Sequence, residues 1–231
     1  MKDNPAIQFF HVWDTYGKVV SGNYMFHRQL GEAVSAAIRL RFADQAIRIL
    51  DLGCGDAATF APILQEFSIE SYLGVDLSAA ALELAKKNLS FLKCPTQFQQ
   101  ADFMSALERS PQQDVIYISF ALHHLKTFEK AEFFRQAVKI LNPGGLVLFV
   151  DVVREEEQDL KKYHQNYCDF VQKTMINLDK DERDAICAHI SGNDFPDPHS
   201  VLNMQASEAG LKLVSTFIPQ KWHQLIVFER P

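Results

Sequence analysis

The stretch RILDLGCGDAATF, residues 48–60, constrains the fold more than any other part of the chain. Ile49, Leu50 and Leu52 make a short run with apolar side chains on both faces, and Asp51, Gly53 and Gly55 introduce an acid and two glycines before a helix-like tail. A strand covered on both faces belongs in the middle of a layered sheet. Glycines at its end leave no Cβ in the way, so a ligand can come close to the backbone.

The rest of the chain repeats that strand-then-helix grammar. An amphipathic helix is expected over residues 25–42, where Leu30, Val34, Ile38 and Phe42 share a stripe. After the first strand, Asp56 can cap a helix over 57–67, SYLGVD is a second strand ending at Asp76, and Ser78 caps a helix with Ala81, Leu82, Ala85 and Leu89 on one face. Strands follow at 96–100 and 114–120. A helix after Thr127 places Ala131, Phe134, Val138 and Leu141 together and is expected to stop at NPGG, with LVLFVDV as the fifth strand. This alternation predicts an α/β fold, a doubly wound three-layer sandwich around a mostly parallel sheet.

Residues 154–198 break the alternation. They carry two helical patterns, the second opened by a capping box of Asp179 and Glu182, and end in FPDP, which reads as a helical lid or as a dimerisation element. A helix over 200–209 stops at Gly210, and LKLVSTF and WHQLIVFE are close enough to pair antiparallel. One domain spanning 1–231 is expected: a helical cap (1–45), a ligand-binding core (46–153), the insertion (154–199) and a C-terminal helix with a strand pair (200–231).

Charge and cysteines remove several function classes. The 231 residues carry a formal charge of −6, with basic doublets only inside helices that also hold acids, so a duplex nucleic-acid surface is not expected. No long uncharged run suggests a membrane span, and no secretory pattern opens the chain, which makes the cytoplasm the expected location. The four cysteines are scattered without a CxxC pair, so free thiols are expected.

Asp76 lies twenty-one positions after Gly55, where an acid ending the second strand can accept from ribose hydroxyls. GCGDAA also satisfies a dinucleotide fingerprint, so a nicotinamide-dependent oxidoreductase stays open at this point. Asp51 argues the other way: a carboxylate just before the glycine turn repels a pyrophosphate and suits an ammonium. Asp102 in ADF can read an exocyclic adenine amine, or it can cap the helix FMSALE.

Taken in order, ILDLGCGDAATF, YLGVDLS, ADF, DVIYISFALHHL and LNPGGLVLFVD resemble the five motifs of the class I S-adenosylmethionine-dependent methyltransferases, over residues 47–152. The resemblance implies a seven-stranded sheet whose last strand runs antiparallel. It implies that Asp51, Gly53, Cys54 and Gly55 contact the methionine moiety, with Cys54 packing and not acting as a nucleophile. Asp76 would hold the ribose, Leu77 the adenine, and Ala101, Asp102 and Phe103 the adenine edge. Ser119 and Phe120 would line the methyl side, and Tyr16 would close over the cofactor carboxylate.

A sulfonium methyl is already activated, so aligning the acceptor matters most. His123, after the fourth strand, is expected to be the base or acceptor-orienting group, with His124, His11, Trp222 and His223 as further substrate-side candidates. The expected reaction is transfer to O or N of a small molecule, by a monomer or homodimer, without a metal: the carboxylate and acid-amide positions of metal-using relatives are not matched here. A protein that binds S-adenosylmethionine without turnover is the other reading.

Overall fold

The computed structural model describes residues 14–231. Seven strands form one sheet: β1 (Ile47–Leu52), β2 (Ile69–Asp76), β3 (Thr96–Gln100), β4 (Gln113–Ser119), β5 (Leu141–Val152), β6 (Lys212–Phe217) and β7 (His223–Glu229). Their spatial order is β3-β2-β1-β4-β5-β7-β6. Strands β1 to β5 pair parallel, and β7 is antiparallel to both β5 and β6. The chain moves outward from β1 to β3 and then returns to the other side of β1 as β4, so the order reverses between β1 and β4. This is the doubly wound sheet expected from the sequence.

The helices are α1 (His27–Phe42), α2 (Ala61–Leu64), α3 (Ala79–Asn88), α4 (Phe103–Arg109), α5 (Thr127–Ile140), α6 (Leu160–Thr174), α7 (Lys180–Asn193) and α8 (His199–Glu208). A helical segment at residues 14–21 precedes α1. Alternate side chains of β1 serve the two layers. Ile47 and Ile49 pack with Leu30, Val34 and Ile38 of α1, while Leu50 and Leu52 meet Phe133 and Phe134 of α5 and Leu202 of α8. Each such buried aliphatic contributes about 1.5–3 kcal/mol over an exposed one. A third apolar cluster joins Tyr163, Tyr167 and Val171 of α6 and Ile190 of α7 to Val152 and Trp222, so the insertion is fastened to the ends of β5 and β7. Among the described residues no helix is long and apolar enough to cross a membrane.

Three local expectations are corrected. In place of a helix over 57–67 there are turns and the four-residue α2, because Gly55 and Ala57 take left-handed backbone (φ 54° and 55°), which an α-helix cannot continue through. NPGG does not end α5 in a loop. The helix stops at Ile140, and residues 142–145 lie within β5, where Asn142 Nδ2 donates to Asp114 Oδ1 at 2.7 Å. The buried face of α5 is Lys130, Phe133, Phe134, Ala137 and Ile140, rotated from the expected stripe because the adjacent phenylalanines carry the largest apolar area to the sheet. Ser78 and the Asp179–Glu182 capping box cap their helices as expected, and the four cysteines are free thiols.

Candidate active site

Register puts the ends of β1 and β4 side by side: Asp51 pairs with Tyr117 and Leu52 with Ile118. The Gly53–Gly55 turn therefore faces Ser119 and Phe120 across the point where strand order reverses. A cavity of about 230 Å³ opens there, lined by Asp51, the turn, Asp76, Ser119, Phe120 and Tyr16. The turn is pinned to β2, with Cys54 N donating to Val75 O at 3.0 Å and Gly55 N to Asp76 Oδ2 at 2.9 Å. Asp76 Oδ1 accepts from Ser78 N at 2.8 Å. Each Asp76 oxygen keeps a second lone pair, enough for a vicinal diol. Gly53 has φ +68°, and a Cβ there would stand 2.9 Å from Ala121 Cβ, so the cradle requires glycine.

Asp51 is 1% exposed, and its Oδ2 accepts from the Tyr72 hydroxyl at 2.7 Å. Burial pushes its carboxyl up to about 7, against the Tyr72 hydrogen bond and with help from the charge of Asp76. An ammonium arriving beside it would hold it ionised, whereas a phosphate would not. Burial also raises the Cys54 thiol, which makes it a packing group and a poor nucleophile.

A second cavity, of about 710 Å³, shares Tyr16 and Phe120 with the first. Its walls come from the 14–21 segment, the end of β5 and the insertion helices α6 and α7, with Val19, Met25, Tyr167 and Met175 as apolar lining. Its rim is acidic: Asp14, Asp179, Asp181 and Glu182, with Lys18 held 2.6 Å from Glu182 and 3.6 Å from Asp14. Phe120, which separates the two cavities, has φ 49°, a left-handed conformation that costs a bulky residue on the order of 1–2 kcal/mol.

His123 sits in a short 3-10 turn, Leu122–His124, at the floor of the larger cavity. Asp151, at the end of β5 and fully buried, accepts from the His123 backbone N–H at 3.0 Å and lies 2.5 Å from Nδ1. Its Oδ1 also accepts from Val152 N at 2.7 Å. The imidazole is therefore held by Nδ1, with Nε2 turned toward Asp194 at 3.6 Å. The loop carrying Asp194 is anchored in turn: Phe195 N donates to His123 O at 2.7 Å, and buried Lys130 reaches Asp197 Oδ2 at 2.7 Å and the Phe195 carbonyl.

One small cavity thus combines the Asp76 carboxylate, the Gly53–Gly55 cradle and the buried Asp51 carboxylate. Residues 49–145 match the family model of a methyltransferase domain. Over that segment the chain is similar to a methyltransferase domain, in line with its resemblance to the class I S-adenosylmethionine-dependent methyltransferases. The donors and acceptors of the cradle described above fit S-adenosylmethionine. Phosphoethanolamine N-methyltransferase 3 of Arabidopsis thaliana is 32% identical over 107 residues, covering 46% of this chain and 21% of that protein. The chain thus spans about a fifth of the length of the plant enzymes it matches. A Halobacillus halophilus protein named only as a methyltransferase, YrrT, is 23% identical over 74% of this chain and 87% of its own. Among solved structures, the cyclopropane synthase MmaA2 of Mycobacterium tuberculosis superposes with a TM-score of 0.62 at 15% identity, covering 84% and 83% of the two chains. The magnesium protoporphyrin IX methyltransferase of Synechocystis with bound S-adenosylmethionine gives 0.60 at 13%, covering 94% and 84%.

The structure brings most of the expected residues together. Tyr16, Asp51, Gly53, Cys54, Gly55, Asp76, Ser119 and Phe120 line the smaller cavity, and His123 and His124 the larger. Leu77, 68% exposed, and Ala101, Asp102 and Phe103 lie outside it at the adjoining ends of β2 and β3, where Ala101 N donates to Asp76 O at 3.1 Å. Asp102 Oδ1 caps α4, accepting from Met104 N and Ser105 N at 3.0 and 3.1 Å.

Trp222 and His223 do not form the cavity wall. Pairing of His223 with Val152 carries its ring behind α6, where Nε2 meets the Tyr167 hydroxyl at 2.8 Å and burial lowers its pKa to about 3. Trp222 packs edge-on to Tyr167 with ring centroids 5.2 Å apart. Both therefore support a residue of the wall and do not reach into the cavity. His11 lies outside the described residues. Sequence reasoning missed His189, Asp194 and the Asp151–His123 bond; the position of Asp151 at the end of a central strand was the signal available.

Proposed function

We propose that this protein transfers a methyl group from S-adenosylmethionine to an oxygen or nitrogen of a small-molecule acceptor seated in the larger cavity, with His123 as the acceptor-orienting group. The observation that carries the reading is the common wall of Tyr16 and Phe120 between the cavity at the glycine turn and a chamber of about 710 Å³, a size suited to an organic ligand. When bound, S-adenosylmethionine supplies an activated sulfonium methyl. The protein's residues orient and shield: Asp51 holds the ammonium, Asp76 the ribose, Phe120 and Tyr16 fix the boundary between donor and acceptor, and α6 and α7 exclude water.

The names of relatives support a small acceptor, since phosphoethanolamine and protoporphyrin methyltransferases are among them. A tRNA N(3)-methylcytidine methyltransferase also matches. The four rim acids and the net charge of −6 oppose a polyanionic acceptor. The test is incubation with labelled S-adenosylmethionine and fractionated metabolites, read by mass spectrometry for products one methyl heavier. Consumption of cofactor with such a product is expected. Tight binding of S-adenosylhomocysteine without transfer to any fraction would replace the reading with that of a non-catalytic cofactor-binding protein.

A further inference from the structure

Asp194 is 4% exposed, and its backbone is fully engaged: its N–H donates to Ile190 O at 3.2 Å, and its carbonyl lies 2.9 Å from His164 Nε2. Its Oδ1, however, is buried with no hydrogen-bond partner. Three imidazoles surround that oxygen, with His124 Nδ1, which also donates to the Asn193 carbonyl at 3.2 Å and would exchange that bond for a metal, at 3.5 Å, His123 Nε2 at 3.6 Å and His189 Nε2 at 3.8 Å. These three separations from Oδ1 exceed the N–H···O range of about 2.7–3.2 Å. They come close to the edge, roughly 3.3 Å, of a tetrahedron whose centre lies about 2.0–2.1 Å from each N and O donor. One donor atom each from His123, His124 and Asp194 lie within 4.8 Å of one another.

We propose that His123, His124 and Asp194 bind a divalent transition-metal ion of the zinc type in the wall of the acceptor cavity. Two imidazoles and one carboxylate are the donor set of such ions, whereas magnesium and calcium take oxygen donors. Asp151 on Nδ1 of His123 supplies the outer carboxylate that fixes the tautomer and leaves the Nε2 lone pair for the metal. Lys130, through Phe195 and Asp197, holds the loop that presents Asp194. All three donors line the cavity, so the remaining coordination position faces it, and His189, also in the lining, stands near enough to compete for it.

The inference rests on the reading of that cavity as the acceptor site and deepens it: the ion would hold an acceptor hydroxyl or amine and lower its pKa, so that His123 orients the acceptor through the metal. It runs against the metal-free expectation drawn from the sequence.

The full chain, stripped with a chelator and dialysed, is titrated calorimetrically with zinc chloride and, separately, with cobalt(II), whose visible absorption reports coordination. One zinc per chain is expected, with a tetrahedral cobalt spectrum free of thiolate charge-transfer absorption. His124→Ala and Asp194→Asn should each weaken zinc at least 100-fold, and Asp151→Asn about 10–100-fold. S-adenosylhomocysteine should bind His124→Ala as it binds wild type, which also shows that the variant is folded. No zinc binding by wild type, a thiolate band, or undiminished affinity in both ligand variants would overturn the proposal. Failure to bind S-adenosylhomocysteine, or to methylate any acceptor, would count against the transferase reading and leave the zinc titration unaffected.

Discussion

The buried carboxyl of Asp51 makes cofactor affinity depend on pH in a calculable way. In the free protein it titrates at about 7, raised by burial, while the Tyr72 hydroxyl pulls it down. Only the ionised form attracts the cofactor ammonium. At pH 7.5 about three-quarters of the protein carries the charge and at pH 5.5 about 3%, a 25-fold difference. The ligand's own amino group, an amino-acid amine beside a carboxylate, stays charged at both pH values, so the net effect remains on the order of 20-fold, or about 1.8 kcal/mol. S-adenosylhomocysteine carries the same ammonium, so calorimetry with it should show the dissociation constant rising about 20-fold from pH 7.5 to pH 5.5, with close to one proton released on binding at the lower pH. Buffers of different ionisation enthalpy read that proton directly. Tyr72→Phe removes the opposing hydrogen bond and should move the midpoint to higher pH, whereas Asp51→Asn should abolish the dependence and hold the weak affinity throughout. An affinity constant within twofold across the range, or an unchanged profile in Asp51→Asn, would refute the assignment of Asp51 to the ammonium.

Four other substitutions test the surrounding scaffold. Asp76→Ala removes the ribose acceptor and the anchors on Gly55 and Ser78, so S-adenosylhomocysteine affinity should fall on the order of 100-fold while the circular dichroism spectrum is kept. Gly53→Ala meets both a positive φ and a Cβ 2.9 Å away, which should cost about 1–3 kcal/mol, read as lower melting temperature and weaker cofactor binding. Lys130→Met strands buried Asp197 and should lower urea stability by about 3–5 kcal/mol at pH 7; adding Asp197→Leu should restore much of it. His223 is held neutral with its pKa lowered to about 3, so its contribution is complete above about pH 6.5 and is lost as pH falls toward 3. Asp51 has the opposite sign: its raised pKa makes the fold lose stability as pH rises toward 7. The difference between wild type and His223→Asn isolates the histidine, and between pH 6.5 and 4 it should slope by about 1.4 kcal/mol per pH unit. Parallel stability curves would sink that account.

The cavity at the glycine turn was legible in the sequence because its residues are close to strand ends that the sequence marks. Asp51, Gly53 and Gly55 lie at one strand end, and Asp76 at the next, so strand assignment and spacing place them without any knowledge of packing. Where local reasoning failed, a backbone state or a choice of packing partner decided. Ala57 in the left-handed region broke a helix that composition favoured, and Phe133 turned α5 away from the stripe through Ala131 and Val138. The acceptor half belongs wholly to that second category. Tyr163, Tyr167 and Val171 write an amphipathic helix at a readable period, yet nothing in that period says that it docks on Val152 and Trp222. Once it docks there, α7 must end beside the LHH turn, and Asp194 at its C-terminal end arrives among His123, His124 and His189. The donors of the proposed metal site come from a strand-end turn and an insertion that meet only through tertiary packing. A reading confined to LHHL therefore finds an acceptor-orienting His123 and a substrate-side His124, whereas the fold adds the Asp194 carboxylate on which the proposed metal site depends.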